Sequence, residues 1–398
     1  MIIKPELKGN VSKTAHPYGC REVVKNQIRY VKDKGRFEGP KKVLILGASS
    51  SYGLASRIAL AFGAGADTIG LSYERGIVNE EKLATAGWWN NIFFKEEAEN
   101  EGLIAKNFIG DAFSDDMKER VIEYIKKEFG GKIDLLIYSL ASGRRTDPRS
   151  GNTYYSALKP IGESIKGYNI NIEKEELFEQ EVVSATKEEI DNTVKVMGGE
   201  DWRWWVEALL KEDLLAERFK TTLFSYIGPE VTEGFYRSGT LGRAKKDAEE
   251  TSDKLNNLLR ERVNGESIIT VSKAATTKAS AVIPILPVYA CSLYKVMNEK
   301  GLHETLIMHQ YRLFNDMIYG DKREIDGEGR LRPDSWEMRE DVQSEVKDIL
   351  KDVTPENFKD TTAFDVFMKE FMELNGFGID NVNYEEDINI EELKKFKP

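Results

Sequence analysis

The sequence predicts an α/β fold built on a doubly wound parallel sheet with helical insertions. Short apolar runs at residues 43–46, 68–72, 104–109 and 133–140 have the length of buried strands. Helical patterns lie among them, and parallel neighbours need such crossover connections. We therefore expect residues 1–398 to form a single enlarged domain.

The helix between the third and fourth strands is marked by its cap and its apolar face. Ser114 is placed to cap it, and Asp115 and Asp116 suit its positive end. Its apolar face consists of Met117, Val121, Ile122, Ile125 and Phe129. These features predict an amphipathic helix that packs against the sheet.

The alternation pauses over residues 144–242 and then resumes. The later elements are a long polar helix at about 245–263, a strand at 267–271 and an apolar helix starting near Ile283. We interpret residues 76–100 and 144–242 as insertions that cover a substrate site at the carboxyl edge of the sheet. Residues 320–398 are expected to form a helical C-terminal wrap.

The two predicted insertions are rich in aromatic residues. The first contains Trp88, Trp89, Phe93 and Phe94, and the second contains Trp202, Trp204 and Trp205. Two interpretations stay open: a lid that shields a reaction from water, or ordinary core packing.

Composition excludes several classes of protein. Of the residues, 40% are hydrophobic and 10% aromatic, which is typical of a globular chain. The net charge of −11 argues against nucleic acid as a partner. Two cysteines and three histidines are too few for a zinc cluster or a disulfide framework, so we expect no metal and a cytoplasmic location. No membrane segment is predicted.

A dinucleotide-binding turn is predicted between the first strand and its helix, as in Rossmann-type sheets. Residues 47–53 read Gly-Ala-Ser-Ser-Ser-Tyr-Gly, and small residues let backbone N–H groups approach a pyrophosphate. The pattern lacks the full GxGxxG, so a plain tight turn is the alternative. Glu74, at the end of the second strand, suits a ribose contact and favours NADH over NADPH, although the adjacent Arg75 opposes that bias.

Further cofactor contacts are expected at the carboxyl ends of the next strands. Asp111 and Ala112 follow the third strand, and Leu140 and Ala141 follow the fourth. For Asp111, a turn that enters the next helix explains the residue equally well.

A tyrosine and a lysine are the candidate catalytic pair. Tyr236 and Lys245 lie nine residues apart, which on one continuous helix would place them on opposite faces. We expect Gly239 and Gly242 to interrupt the helix and let them converge. A phenol can donate a proton to developing oxyanion charge, and a nearby ammonium lowers the pKa of that phenol while holding ribose hydroxyls. Taken alone, such a pair is more often a buried aromatic beside an exposed charge.

Several motifs together resemble those of the trans-2-enoyl-CoA reductases of the FabV type, relatives of the short-chain dehydrogenases and enoyl-ACP reductases. The resemblance runs nearly end to end. It rests on Thr14-Ala-His-Pro-Tyr-Gly-Cys20, residues 47–53, Tyr73-Glu74, Thr85-Ala-Gly-Trp-Trp-Asn90, Gly110-Asp-Ala-Phe113, Tyr138-Ser-Leu-Ala-Ser142, the Tyr-x8-Lys pair and Lys273-Ala-Ala-Thr-Thr-Lys-Ala-Ser280. The Tyr-x8-Lys gap is longer than that of either related group.

The resemblance implies NADH-dependent reduction of the C2=C3 bond of short trans-2-enoyl-CoA thioesters, in butyrate-type or fatty acid metabolism. It implies Tyr236 as proton donor or enolate stabiliser, Lys245 as ribose-binding lysine and Tyr226 as a second hydroxyl near the thioester carbonyl. Lys246 is left as a solvated charge or a CoA-phosphate contact. The implied cofactor contacts are Gly47, Ala48, Ser49, Ser50, Ser51, Tyr52, Tyr73, Glu74, Asp111, Ala112, Leu140, Ala141, Lys245, Ala275, Thr276 and Thr277. In the last three, Ala-Thr-Thr departs from the more apolar family pattern.

Three alternatives remain open at this point. Acyl carrier protein thioesters are a related substrate class, and a carbonyl-reducing short-chain dehydrogenase would use Ser139 or Ser142. A non-catalytic NAD-binding protein would bind cofactor without turnover. We expect no flavin, since the sequence contains no flavin signature, and a monomer or small homo-oligomer.

Overall fold

The computed structural model describes residues 1–398. Its strands are β1 (Leu7–Lys8), β2 (Val11–Ser12), β3 (Lys42–Leu46), β4 (Asp67–Ser72), β5 (Ala105–Ile109), β6 (Ile133–Tyr138), β7 (Arg144–Thr146), β8 (Thr153–Tyr155), β9 (Ile165–Asn171), β10 (Glu176–Val182), β11 (Leu215–Ser225) and β12 (Glu266–Val271). Its α-helices are α1 (Pro17–Lys34), α2 (Ser51–Ile58), α3 (Ala86–Asn100), α4 (Asp115–Glu128), α5 (Lys187–Met197), α6 (Glu200–Lys211), α7 (Thr240–Val263), α8 (Leu286–Glu299), α9 (Leu306–Arg312), α10 (Glu340–Asp352), α11 (Phe358–Thr361), α12 (Phe364–Glu373) and α13 (Ile390–Leu393).

Six strands form one parallel sheet in the order β12-β11-β6-β3-β4-β5. This order confirms the predicted doubly wound, Rossmann-type fold. The strand order reverses between β3 and β6, and ligands of such sheets bind at the carboxyl ends beside that point. The remaining strands pair as three short antiparallel hairpins outside the sheet.

The predicted cap of α4 is confirmed. The Ser114 hydroxyl oxygen accepts a hydrogen bond from the Met117 amide at 3.2 Å. Met117, Val121 and Ile125 are buried in the core cluster on one side of the sheet. The helix is therefore held by its cap and by its apolar face, as the pattern indicates.

Two predicted insertion boundaries are wrong. Residues 76–100 include α3, which is the crossover helix from β4 to its parallel neighbour β5. Residues 144–242 include β11, which lies in the sheet between β6 and β12. The sequence pattern did not predict β11, because Glu217, Arg218 and Lys220 interrupt the apolar residues in its first half. The pairing with β6 is also irregular there.

The aromatic residues of these segments are core residues. Trp89, Phe93 and Phe94 of α3 are buried, as are all three tryptophans of α6. The indole N–H of Trp202 donates to the Thr221 hydroxyl at 2.8 Å, and that of Trp205 donates to the Ala112 carbonyl at 3.1 Å. The aromatic residues of both segments are therefore better described as core packing than as a lid over the active site.

The C-terminal segment was predicted to wrap the outside of the domain. In the structure it also contributes side chains to the core. Phe358, Phe364, Phe367 and Phe371 are buried in one cluster with residues of α8. Buried phenylalanines at this spacing give α11 and α12 an apolar face within a charged sequence. None of the helices combines the length and the apolar character needed to cross a membrane.

Gly19 of α1 tests the contact between the two ends of the chain. A methyl group there would lie 1.7 Å from the Gly376 carbonyl oxygen. Gly→Ala in a helix normally stabilises by about 0.5–1 kcal/mol. At Gly19 the clash makes the substitution destabilising instead. We expect Gly19→Ala to lower the free energy of unfolding by about 1–3 kcal/mol, as measured by urea denaturation.

The control is Gly327→Ala, because nothing lies within 4 Å of a methyl group at that exposed turn. It should change the free energy of unfolding by less than about 0.5 kcal/mol. A Gly19→Ala variant as stable as the control would contradict the close backbone contact.

Candidate active site

The turn after β3 brings two strand ends into close contact. Gly47 has a φ of +86°, and a methyl group there would lie 2.1 Å from the Ser139 carbonyl oxygen after β6. A methyl group at Gly53 would lie 1.9 Å from the Gly47 carbonyl oxygen. Only glycine fits these positions, so the backbone of β3 turns directly into α2 at the strand-order reversal.

The N-terminus of α2 faces this edge of the sheet. Ser50 is its N-cap residue, but the Ser50 side chain makes no capping hydrogen bond. The Ala48 N–H donates to the Leu71 carbonyl at 3.1 Å, whereas the first N–H groups of the helix, those of Ser51 and Tyr52, are left for another acceptor. A helix N-terminus with free N–H groups suits a phosphate.

Glu74 is fixed beside this turn. Its Oε1 accepts a hydrogen bond from the Ser49 hydroxyl at 2.6 Å, and its Oε2 accepts one from the Thr85 hydroxyl. The amide of Asn90 donates to the Ser49 carbonyl at 2.9 Å. The preceding Tyr73 is 77% exposed. The carboxylate is thus held at the end of the second strand of the nucleotide-binding half, as predicted.

The turns after β5 and β6 place the next predicted cofactor contacts. The Asp111 carboxylate accepts a hydrogen bond from the Phe113 amide at 2.9 Å, which is the geometry of a helix-entry turn. Ala112 is buried behind it. Leu140 is half-buried, with its Cδ2 near Gly47, and Ala141 is exposed. Asp111 therefore has a local structural role whatever else it binds.

Tyr226 and Tyr236 meet beyond the carboxyl end of β11. Their ring centroids are 4.5 Å apart in an edge-to-face arrangement. The Tyr236 ring is 8% exposed, and within the chain its hydroxyl has no hydrogen-bond partner. The Tyr236 hydroxyl is therefore available to a bound molecule.

Lys245 lies on the first turns of α7. Its Nζ donates a hydrogen bond to the Phe224 carbonyl, near the end of β11, at 3.0 Å. Burial lowers the pKa of Lys245 to about 8. The neighbouring Lys246 is exposed. Lys245, and not Lys246, therefore faces the sheet edge.

Two details of the predicted pair are wrong. The helix α7 begins at Thr240 with Gly239 as its N-cap. Of the two glycines, only Gly239 therefore lies between Tyr236 and the helix, and Gly242 lies within it. The pKa of Tyr236 is raised and not lowered, because its ring is buried and the Glu337 carboxylate is near. Lys245 contributes no opposing effect. Tyr236 is thus a phenol that keeps its proton at neutral pH.

The loop after β12 closes the site on the side of α2. The Tyr52 hydroxyl donates to the Lys273 carbonyl at 2.5 Å. Ala275, Thr276 and Thr277 follow in the same loop and are buried. The Thr276 hydroxyl bonds to the Tyr294 hydroxyl at 2.9 Å, and the Thr277 hydroxyl donates to Ser280. Since these hydroxyls already have partners, backbone groups are the better candidates for a cofactor contact.

Glu337 is the site residue that sequence reasoning missed. It is fully buried and accepts hydrogen bonds from the Tyr226 hydroxyl at 2.9 Å, the Tyr289 hydroxyl at 2.7 Å and the Ala274 amide at 2.5 Å. Burial raises its pKa to about 7. It lies 111 residues beyond Tyr226 in a charged segment, where no pattern distinguishes it from neighbouring acids.

The three histidines lie outside this cluster. His16 caps α1, accepting a hydrogen bond from the Gly19 amide at 3.1 Å. His303 bonds to Glu370 at 3.0 Å, and His309 bonds to Glu304 at 3.2 Å. Burial lowers the pKa of both His16 and His309 to about 4. All three side chains act as hydrogen-bonded structural groups.

The fold and the site together define a nicotinamide-dinucleotide oxidoreductase of the Rossmann type. The sheet order, the glycine turn into α2 and the acid after β4 form a dinucleotide site. Next to this site are Tyr236, whose hydroxyl has no hydrogen-bond partner, and the partly desolvated Lys245. Side chains of these types take part in proton transfer.

Family models match almost the whole chain. The model described as the trans-2-enoyl-CoA reductase catalytic region matches residues 82–319, and the NAD(P)H binding domain of trans-2-enoyl-CoA reductase matches residues 2–79. The chain belongs to the trans-2-enoyl-CoA reductase family. The resemblance drawn from its motifs is confirmed.

Relatives support the assignment over the full length. The chain is 56% identical over 400 residues to a trans-2-enoyl-CoA reductase [NADH] of Clostridium beijerinckii, covering 100% of both chains. It is 48% identical over 397 residues to an enoyl-[acyl-carrier-protein] reductase [NADH] 2 of Photobacterium profundum, covering 99% of each. The solved Clostridium acetobutylicum trans-2-enoyl-CoA reductase in complex with NADH superposes with a TM-score of 0.98 at 50% identity, covering 100% of both chains.

A third family model, described as an enoyl reductase FAD binding domain, matches residues 325–388. This segment folds as short helices and contains no strand that turns through glycines into a helix, so it offers no pyrophosphate cradle. Its phenylalanines are packed in the core. Residues 325–388 therefore contain no turn of the kind that follows β3.

Proposed function

We propose that the chain catalyses the NADH-dependent reduction of the C2=C3 bond of short trans-2-enoyl-CoA thioesters, converting crotonyl-CoA to butyryl-CoA. The observation that carries the proposal is the unpartnered hydroxyl of Tyr236, on a buried ring at the carboxyl edge of a dinucleotide-binding sheet. The names of full-length relatives support the same reaction.

NADH, when bound, supplies the hydride that reaches C3 of the thioester. Charge then develops on the thioester oxygen, which the single O–H of Tyr236 stabilises by a hydrogen bond. The same proton then passes to C2 of the enolate, and Tyr236 regains a proton from solvent. The raised pKa keeps the Tyr236 hydroxyl protonated before the reaction begins, which is the state that donates a hydrogen bond to the developing oxyanion. Lys245 would hold ribose hydroxyls, and Tyr226 lies beside the substrate carbonyl.

The proposed cofactor contacts surround the turn after β3. They are Gly47, Ala48, Ser49, Ser50, Ser51, Tyr52, Tyr73, Glu74, Asp111, Ala112, Leu140, Ala141, Lys245, Ala275, Thr276 and Thr277. We propose that NADH is preferred over NADPH, since the fixed Glu74 carboxylate would repel a 2′-phosphate. Hydride transfer is proposed to be direct, without a flavin. The free, buried Cys20 and Cys291 support a reducing compartment.

Acyl carrier protein thioesters are the second candidate substrate. A relative named as an enoyl-[acyl-carrier-protein] reductase is 48% identical to this chain over nearly its whole length. Both thioesters present the same enoyl group to Tyr236, so the choice between them depends on surfaces around the site entrance. We propose residues 144–214, before β11, as that covering region, and a monomer or small homo-oligomer as the assembly.

The test is NADH oxidation with crotonyl-CoA and with a crotonyl carrier protein. Wild type should turn over at least one of them. Tyr236→Phe and Lys245→Met should each lower kcat by roughly 10²-fold or more, because each removes a proton-transfer or cofactor-holding group. The matched control is Lys246→Met, which removes the exposed neighbouring charge and should stay near wild type.

Activity that survives in both Tyr236→Phe and Lys245→Met would keep the reaction and refute the assigned residues. Absence of turnover with either thioester, in folded wild type that binds NADH, would favour the carbonyl reductase or the non-catalytic alternative.

Glu74 supplies the test of cofactor preference. Glu74→Gln keeps the size and one acceptor oxygen but removes the charge that opposes a 2′-phosphate. We expect the ratio of kcat/KM for NADH over NADPH to fall by about tenfold or more, equivalent to about 1.4 kcal/mol. An unchanged ratio would show that the Glu74 charge does not select the cofactor.

A further inference from the structure

The buried carboxylate of Glu337 controls the only proton of a site tyrosine. The Tyr226 hydroxyl donates to Glu337 Oε1 at 2.9 Å, and a phenol has a single proton to donate. While Glu337 is ionised, the Tyr226 oxygen can therefore accept a hydrogen bond from the active site but cannot donate one.

Protonation of Glu337 would change this arrangement at Tyr226 and not at Tyr289. Tyr289 is fully buried, donates to Glu337 Oε1 at 2.7 Å and already accepts a hydrogen bond from the Gln343 amide at 3.1 Å. Its hydrogen bond to Oε1 is shorter than the 2.9 Å bond of Tyr226, so the Tyr289 proton stays on Glu337. A carboxyl proton on Oε1 would instead be donated to the Tyr226 oxygen, which has a free lone pair.

We propose that Glu337 is a positioning residue that switches Tyr226 from acceptor to donor toward the thioester oxygen. Glu337 takes one proton from solvent, its O–H donates to the Tyr226 oxygen, and the Tyr226 O–H turns toward the site. No covalent bond other than O–H changes. The protonated state then offers a second donor, next to Tyr236, for the charge that develops on the substrate. This inference rests on the proposed function.

The surroundings of Glu337 place the switch near neutral pH. Burial is the main cause that raises its pKa to about 7, and Asp334, which is paired with Arg332, acts in the same direction. The Ala274 amide and the two tyrosine hydroxyls favour the carboxylate and oppose this rise. Lys273, Tyr52 and Tyr236 are the other titratable groups that sense its charge. Below pH 7 the donor state of Tyr226 dominates, and above it the acceptor state dominates.

The experiment measures kcat for crotonyl-CoA between about pH 5.5 and 8.5. Wild-type kcat should fall roughly tenfold as pH rises through about 7, with the KM for NADH unchanged. In E337Q/Y289F the amide N–H donates to Tyr226 at every pH, so kcat should stay at the low-pH level of wild type up to about pH 7.5. Above that pH, Lys245, whose pKa is about 8, loses its proton in the variant and in wild type alike. Tyr289→Phe is included because glutamine has no acceptor left for the Tyr289 proton.

Two single variants are the controls. Tyr289→Phe alone keeps Glu337 and should retain the fall of kcat with pH. Tyr226→Phe should lose the fall and remain at the lower, high-pH level, since it has no proton to release. A merely structural role for Glu337 would change stability in these variants but would not abolish the pH dependence selectively.

A second readout does not need turnover. Infrared difference spectra of the resting chain should show the carbonyl stretch of a protonated carboxyl group on acidification through about pH 7. The band should be present in wild type and Tyr226→Phe and absent in E337Q/Y289F. The proposal would be overturned if the carbonyl band did not differ between wild type and E337Q/Y289F, or if wild-type kcat did not change with pH. It would also be overturned if the fall of kcat through pH 7 persisted in E337Q/Y289F. Absence of turnover with the band present would refute the proposed function instead.

Discussion

The close backbone contact between the ends of β3 and β6 is the constraint on which the site depends. Gly47 can approach the Ser139 carbonyl only because it lacks a side chain and adopts a positive φ. That approach sets where α2 starts and leaves its first N–H groups facing the crevice. Because all six strands are parallel, the residues after β4, β11 and β12 reach the same edge. The Gly47 turn and the segment that carries Tyr236 therefore lie at one edge of the sheet.

Burial governs the chemistry of this edge. Desolvation raises the pKa of Tyr236 and of Glu337 and lowers that of Lys245. The result is a phenol that keeps its proton beside a carboxyl group that is half-ionised near neutral pH. The carboxyl group comes from the C-terminal segment, so that segment supplies an active-site contact and does not serve only as an outer layer.

The sequence predicted the features that depend on local order. Strands β3 to β6, the Ser114 cap and the Gly47 turn follow from short patterns that act over a few residues. It did not predict β11, whose charged first half masks the apolar period, or Glu337, which is defined by partners on three distant segments. The raised pKa of Tyr236 was also missed, since it depends on burial and on that distant carboxylate. Roles that arise from long-range burial leave no local signature.

Isotope labelling tests whether the hydride of NADH passes directly to C3 of the thioester. The chain would reduce crotonyl-CoA with NADH that carries deuterium at the transferred C4 position, and the butyryl-CoA would be examined by NMR and mass spectrometry. Direct transfer predicts that deuterium from NADH is retained fully at C3, while a hydrogen from solvent enters at C2. Loss of the label to water would indicate an exchanging carrier such as a flavin, and label at C1 would indicate carbonyl reduction. Either result would refute direct hydride transfer to C3.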